Sequence, residues 1–324
     1  MCVSDDRGRT ISSALSVSLL TSAEWHARAE MHRVRVLRFT APWRERRSRG
    51  DVHPVYDFLF QYYHYPAGKL ETWHPDPHEW LVDNAEARER FTAPVYVAAD
   101  GMIARDTRTL SDAERSTLGQ TLKLLRSTQN APAHFGCYGM HEWAMVYGGH
   151  DVRHAERAPL RLPQAQVDTF VESRPVACSH FDAFRFFAPA AKPMNRVPLV
   201  WGTRHDIEQP GCIHANMDLY RWAFTSMPWI GSDLLWECFA LAVELRVLDM
   251  QAGPYDLQSI GFEAVRIETS EGRDIYQRRQ RELSARAGVL RARVIDAVDR
   301  QRSAVGVLCP RGGAARARHA GRPL

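Results

Sequence analysis

The chain has 324 residues, 45% of them hydrophobic and 25% charged, ordinary figures for a globular protein able to bury a core. Ten arginines against five acids in residues 1–50, and five arginines without an acid in residues 302–324, carry all of the positive excess, so a formal net charge of +4 leaves residues 51–301 at −6. An acidic body excludes a nucleic-acid footprint spread over the folded surface and restricts DNA, as a partner, to a basic N-terminal helix and the tail.

In chain order, residues 1–19 are expected to be poorly ordered. The stretch "RTISSALSVSLLTSA" has a faint signal-peptide look, but it follows Asp5 and Asp6 and is broken by serines, so export is not expected. Thr21-Ser-Ala-Glu24 is a capping box that opens an arginine-rich helix to about residue 48, where "SRGD" stops it. Pro54 suits the first position of a second helix, "PVYDFLFQYYHY", and "HPDPHEW" must be a turn or loop. Ser111-Asp-Ala-Glu114 opens a helix through about Gln129 with Leu118, Leu122 and Leu125 as its apolar stripe. Ser232 is the expected cap of "DLLWECFALAVELRVLDMQ", which is apolar almost all round, ends before Gly253-Pro254 and should be the central buried helix. A last helix runs from Glu271 to about Arg300, and the Gly-, Ala- and Arg-rich stretch after it has no periodicity that would repay ordering.

Extended pieces are short: 94–99, 174–180 and 264–269. The expected fold is therefore mainly α with a few short strands, a compact multi-helix globular domain over residues 20–300 followed by a disordered arginine-rich tail, 301–324. Nothing is apolar for long enough to cross a membrane. The chain has no internal repeat and no G-x-G-x-x-G, P-loop or G-x-S-x-G motif, which removes most nucleotide-binding and α/β-hydrolase readings.

The six cysteines stand singly, with no C-x-x-C pair, which argues against a zinc ribbon or a disulfide framework and for reduced thiols in the cytoplasm. Polar residues costly to bury concentrate between 134 and 221. His134 and His141 are seven apart, on one face if helical, with Glu142 beside them; His180 and Asp182 share a face if the strand continues; His214 and Asp218 are one helical turn apart and able to share a metal or a proton. Histidine and carboxylate are ligands for iron, zinc or manganese and the pair used in acid–base catalysis. His134, His141, His180, Asp182, His214 and Asp218 are accordingly the candidates for a divalent metal, if one is used. The H-x-D spacing at 180–182 also occurs in two-histidine-one-carboxylate iron oxygenases, but those need a β-sandwich barrel for which this chain lacks strands.

Three blocks, "HFGCYGMHEWAMVY", "CSHFDAFRFFAPAAKPMN" and "QPGCIHANMDLYRWAFTSMPWIGSDLLWECFALAVELRVLDMQAGPYDL", resemble a family of bacterial proteins carried under the name 3-methyladenine DNA glycosylase, a likeness covering roughly residues 20–295. The resemblance implies a DNA or nucleobase N-glycosylase, a hydrolase that holds a base between aromatic faces and uses a carboxylate on the sugar. Asp182, Asp218, Glu142, His180 and His214 are then the catalytic candidates, and Phe135, Tyr138, Trp143, Phe181, Phe184, Trp222 and Arg185 the residues available to bind the base. The helix-hairpin-helix glycosylases use a turn of L-P-G-x-G type; here "MPWIGSDLL" has Trp229 in place of the first glycine, and Asp249 lies eighteen residues past Gly231, near the position of that superfamily's catalytic aspartate. Two other readings fit the same residues: a metal-dependent small-molecule enzyme, and a non-catalytic binding protein.

Overall fold

In a computed structural model the described residues are 18–149 and 158–303, and they form a mainly helical fold with one small sheet. The expected disorder at residues 1–17 and in the tail from 304 falls outside them. Among the described residues no helix is long and apolar enough to cross a membrane.

Both capping boxes form. Thr21 and Glu24 bond each other's backbone N–H at the start of the helix Ser22–Ser48, and Ser111 and Glu114 do the same for Asp112–Asn130. The first helix buries Trp25, Ala29, His32, Val36 and Thr40, one stripe at helical spacing. The second buries Leu118, Leu122 and Leu125 as its periodicity requires. The helix Ser232–Ala252 is buried along most of its surface and is the hub of the core: it packs on the C-terminal helix Ser270–Ser303, on Ile213–Met217 and on Leu219–Thr225. A second, smaller core holds Leu20, Trp25, Trp73, Leu81, Phe91 and Ile103.

That smaller core lies with the sheet. Strands β1 (Ser18–Leu20), β2 (Glu79–Val82), β3 (Tyr96–Ala99) and β4 (Met102–Arg105) take the order β1-β2-β4-β3, with β1 parallel to β2 and the other pairs antiparallel. Asp100 and Gly101 join β3 to β4 with φ of 52° and 77°, the two-residue turn that matches strand twist.

Several expectations are corrected. Ser18 and Leu19 are not loose but pair with β2, and Glu79 and Trp80 are strand rather than loop. Pro54 does not start a helix: residues 54–57 turn first, because the His53 ring accepts the Val55 and Tyr56 N–H groups and Asp57 accepts from His53 N, so the helix begins at Phe58. Ser232 is not the cap of the central helix. Its hydroxyl donates to Thr72 O and accepts from His74 N, fastening a loop, and Gly231 takes the cap position. The stretch 174–180 makes a single bridge, Val176 with Asn195, and 264–269 makes no strand, Val265 instead donating to Gln251 O. The last helix continues through Ser303, past the expected end near Arg300.

Candidate functional site

The central helix carries Asp233, Glu237 and Glu244 toward the surface, and two buried charges, Arg246 and Asp249, three positions apart on one face. Both are buried, and charges without water must find partners. Asp249 Oδ1 lies 2.6 Å from His141 Nε2, Asp249 Oδ2 accepts from Arg246 Nη1 at 2.8 Å, and His214 Nε2 lies 3.8 Å from Oδ2. Arg246 also donates to Glu142 Oε1 at 2.8 Å, and Tyr255 donates to Glu142 Oε2 at 3.2 Å. The Phe58 ring lies 4.0 Å from the guanidinium carbon of Arg246. His141 and Glu142 come from the short helix Met140–Met145, and His214 from Ile213–Met217.

Burial disfavours charge on Asp249, but His141, His214 and Arg246 outweigh it and hold the carboxyl far below the usual range. Burial also opposes protonation of His141; Asp249 overcomes this and raises its pKa, so the pair is ionic. His214 goes the other way, held neutral first by burial and then by its cationic neighbour His141. Burial pushes Glu142 above the normal carboxyl range despite Arg246.

A second network adjoins the first. Asp218 accepts from Tyr63 Oη at 2.7 Å, Arg204 Nη2 at 3.1 Å and His180 Nε2 at 3.3 Å. Burial opposes its charge, yet His180 and Arg204 keep its pKa well below the normal range. Arg204 also binds Glu208 at 2.7 Å and lies 3.6 Å from Asp182, which accepts from Arg221 at 3.1 Å. His180 is the N-cap of the helix Phe181–Phe184, its Nδ1 accepting from Ala183 N at 3.3 Å, which leaves Nε2 as the donor to Asp218. His180 and Asp182 therefore do not share a strand face, since the chain turns helical between them. Nor do His214 and Asp218 pair with each other. Asp218 stands at the junction of two short helices and turns to Tyr63 and His180, while the His214 ring lies against His141, 4.4 Å between centroids.

Beside the first network is a cavity of about 450 Å³. Its wall holds Glu142, Asp182, Arg185, His214, Arg246 and Tyr255 together with the rings of Phe58, Tyr62, Phe186 and Phe187. This is the volume and mixed lining of a small-molecule site. No protein-family model, curated protein or solved structure matches the chain.

Of the candidates read from sequence, Glu142, Asp182, Arg185 and His214 meet at this cavity. His180 and Asp218 do not line it. His134 is exposed, held by its backbone to Gln209, and is not on the His141 helix. The expected aromatic contacts are elsewhere: Trp143 is core, donating to Ala252 O; Phe135 lies under Arg281; Tyr138 packs near Tyr276; Phe184 packs on Phe187; Trp222 carries Arg204 and Arg221 on its ring; Phe181 meets Trp201. Asp249 stood out only by its distance from Gly231, not as a partner of His141, and the residues missed altogether are Arg246, Tyr255 and the aromatic pair Phe58 and Tyr62, stacked at 5.0 Å. A signal for Arg246 and Asp249 was present, for both lie off the helix's Asp233, Glu237 and Glu244 side, and charges turned toward the core must be paired inside the protein.

Proposed function

We propose that the protein is a hydrolase of N-glycosidic bonds that acts on a nucleoside-sized substrate in this cavity. The observation that supports it is the presence of two carboxyl groups, Glu142 and Asp182, in the wall of one cavity that also holds aromatic rings. Glu142, with its pKa raised by burial, is the acid that gives its proton to the departing base. Asp182, held by Arg221, supplies negative charge beside the sugar as the bond from C1′ to the base nitrogen breaks, and receives the proton of the water that adds to C1′. The likeness of the three sequence blocks to the 3-methyladenine glycosylase family supports the same bond type.

Duplex DNA is the less favoured substrate. On the N-terminal helix, Arg28, Arg33, Arg35, Arg44, Arg46 and Arg49 are already in ion pairs with carboxylates, which leaves less of its charge for phosphate.

Purified protein incubated with N-methylated purine nucleosides, and separately with alkylated DNA, is assayed for free base. Release from the nucleosides, lowered by about a hundredfold or more in Glu142→Gln, is expected for a lost general acid. Release from DNA alone restores the DNA reading, and saturable binding without release makes the protein a binding module. No release and no binding with either substrate removes the proposal.

A further inference from the structure

The network around Asp249 has a feature that the glycosidic reading does not use. One ring nitrogen of His141, a carboxylate oxygen of Asp249 and a ring nitrogen of His214 all lie within 4.8 Å of one another. First-row metal bonds to imidazole and carboxylate are about 2.0–2.2 Å, so one ion holds donors roughly 3–4.4 Å apart, and shifts of a few tenths of an ångström would close this set around a cation. The three donors come from three different helices, so their convergence is a property of the fold and not of local sequence spacing.

His214 is the telling member. It is 9% exposed, yet among the described residues its ring nitrogens make no hydrogen bond, only the 3.8 Å approach to Asp249. Its side chain is 11% exposed and lines the cavity, so a ring nitrogen without a protein hydrogen bond is open to a ligand or an ion. The other two ligands are oriented from behind, as metal ligands commonly are: Arg246 fixes Asp249 through Oδ2, and His141 Nδ1 lies 3.8 Å from Cys137 Sγ. His214 is also in the wall of the 450 Å³ cavity, so an ion bound to it has open coordination positions within reach of a ligand.

We propose that His141, His214 and Asp249 form a two-histidine-one-carboxylate site for one divalent first-row transition ion at the inner wall of the cavity. As the ion enters, the proton held between His141 and Asp249 passes to water, and the ion takes its place. The proposal does not depend on the glycosidic reading, and its test does not use turnover.

The full-length protein, stripped with a chelator, is titrated with Co(II) while visible absorption is followed, and with Zn(II) while the melting temperature is followed. About one equivalent of Co(II) should bind with new visible bands, and Zn(II) should raise the melting temperature. His214→Ala should weaken both by at least about tenfold, the smallest loss typical of residues that merely support a metal ligand. Because His214 makes no hydrogen bond its removal should leave the fold intact; His214→Gln serves as the second variant if the alanine protein does not fold. Exposed His134→Ala should bind like wild type. Absence of saturable Co(II) binding by wild-type protein, or equal binding by a folded His214 variant, overturns the proposal.

Discussion

His141 Nε2 and Asp249 Oδ1 lie 2.6 Å apart, both side chains shut off from water, although 108 positions separate them in the chain. The pair ties the short helix Met140–Met145 to the central helix, and Arg246 completes it from the next turn. Removing the carboxylate leaves the buried His141 without its counter-charge and Arg246 with Glu142 alone. Asp249→Ala should therefore cost about 3–5 kcal/mol, the range for breaking a buried ion pair from one side. The shift in urea midpoint checks it, and a cost below about 1 kcal/mol would mean that water reaches the pair.

Asp218 should make the protein sensitive to acid. Its pKa is depressed below the ordinary 3.8, so its stabilising contribution is fully present above that value and is lost as pH falls through the lower, folded-state value. Comparing urea midpoints at about pH 5 and pH 3 for wild type and Asp218→Asn isolates the effect, since the amide cannot titrate. The wild-type midpoint should fall further than that of the variant, and equal falls would show that Asp218 titrates as it does in the unfolded chain.

How far the site could be read from sequence depends on the reach of each interaction. The capping boxes at Thr21 and Ser111 and the Leu118, Leu122 and Leu125 stripe are local, and they form as their spacing demands. His214 and Asp218 look like a pair for the same local reason. They separate because two short helices meet at Asp218, and its partners Tyr63 and His180 come from distant segments. Asp249 read as an acid at the end of an apolar helix, because nothing in its neighbourhood announces His141. The aromatic wall was misplaced for a related reason: Trp143 and Trp222 stand close to the polar cluster in sequence, but Phe58 and Tyr62 reach the cavity from a helix some eighty residues upstream of Trp143.

Gly231 should not tolerate a side chain. It has φ +82°, and a Cβ there would meet Asp76 Oδ1 at 2.3 Å and Asp76 Cα at 2.9 Å, where the loop before β2 crosses the start of the central helix. Gly231→Ala combines left-handed backbone strain with a clash against main chain, and a loss of about 2 kcal/mol or more is expected from such a combination. Gly261→Ala is the control. Its φ of +85° goes with a ψ of 19°, the left-handed helical well that side chains enter at lower cost than the ψ of 155° at Gly231, and it has open space around it, so it should cost less. Equal losses in the two melting curves would mean that the Asp76 loop moves aside.

Glu142 should act in the opposite direction to Asp218. Burial raises its pKa above the ordinary 4.5, so the folded protein holds this proton more tightly than the unfolded chain does. The stability contributed by that proton is fully present below pH 4.5 and declines as pH rises through the folded-state value. Other groups titrate over the same range: His214, kept neutral by burial, gains with rising pH toward 6.5, whereas His141, kept charged by Asp249, loses above it. The wild-type profile alone is therefore a sum, and the informative quantity is its difference from Glu142→Gln. That variant keeps the side-chain volume, can still accept from Arg246 and cannot ionise. Between about pH 5 and pH 8 the urea midpoint of wild type should fall relative to that of the variant. Parallel profiles would mean that Glu142 is already ionised at pH 5, with Arg246 outweighing burial, and would remove its role as the acid while leaving the cavity and the ion site at His214 untouched.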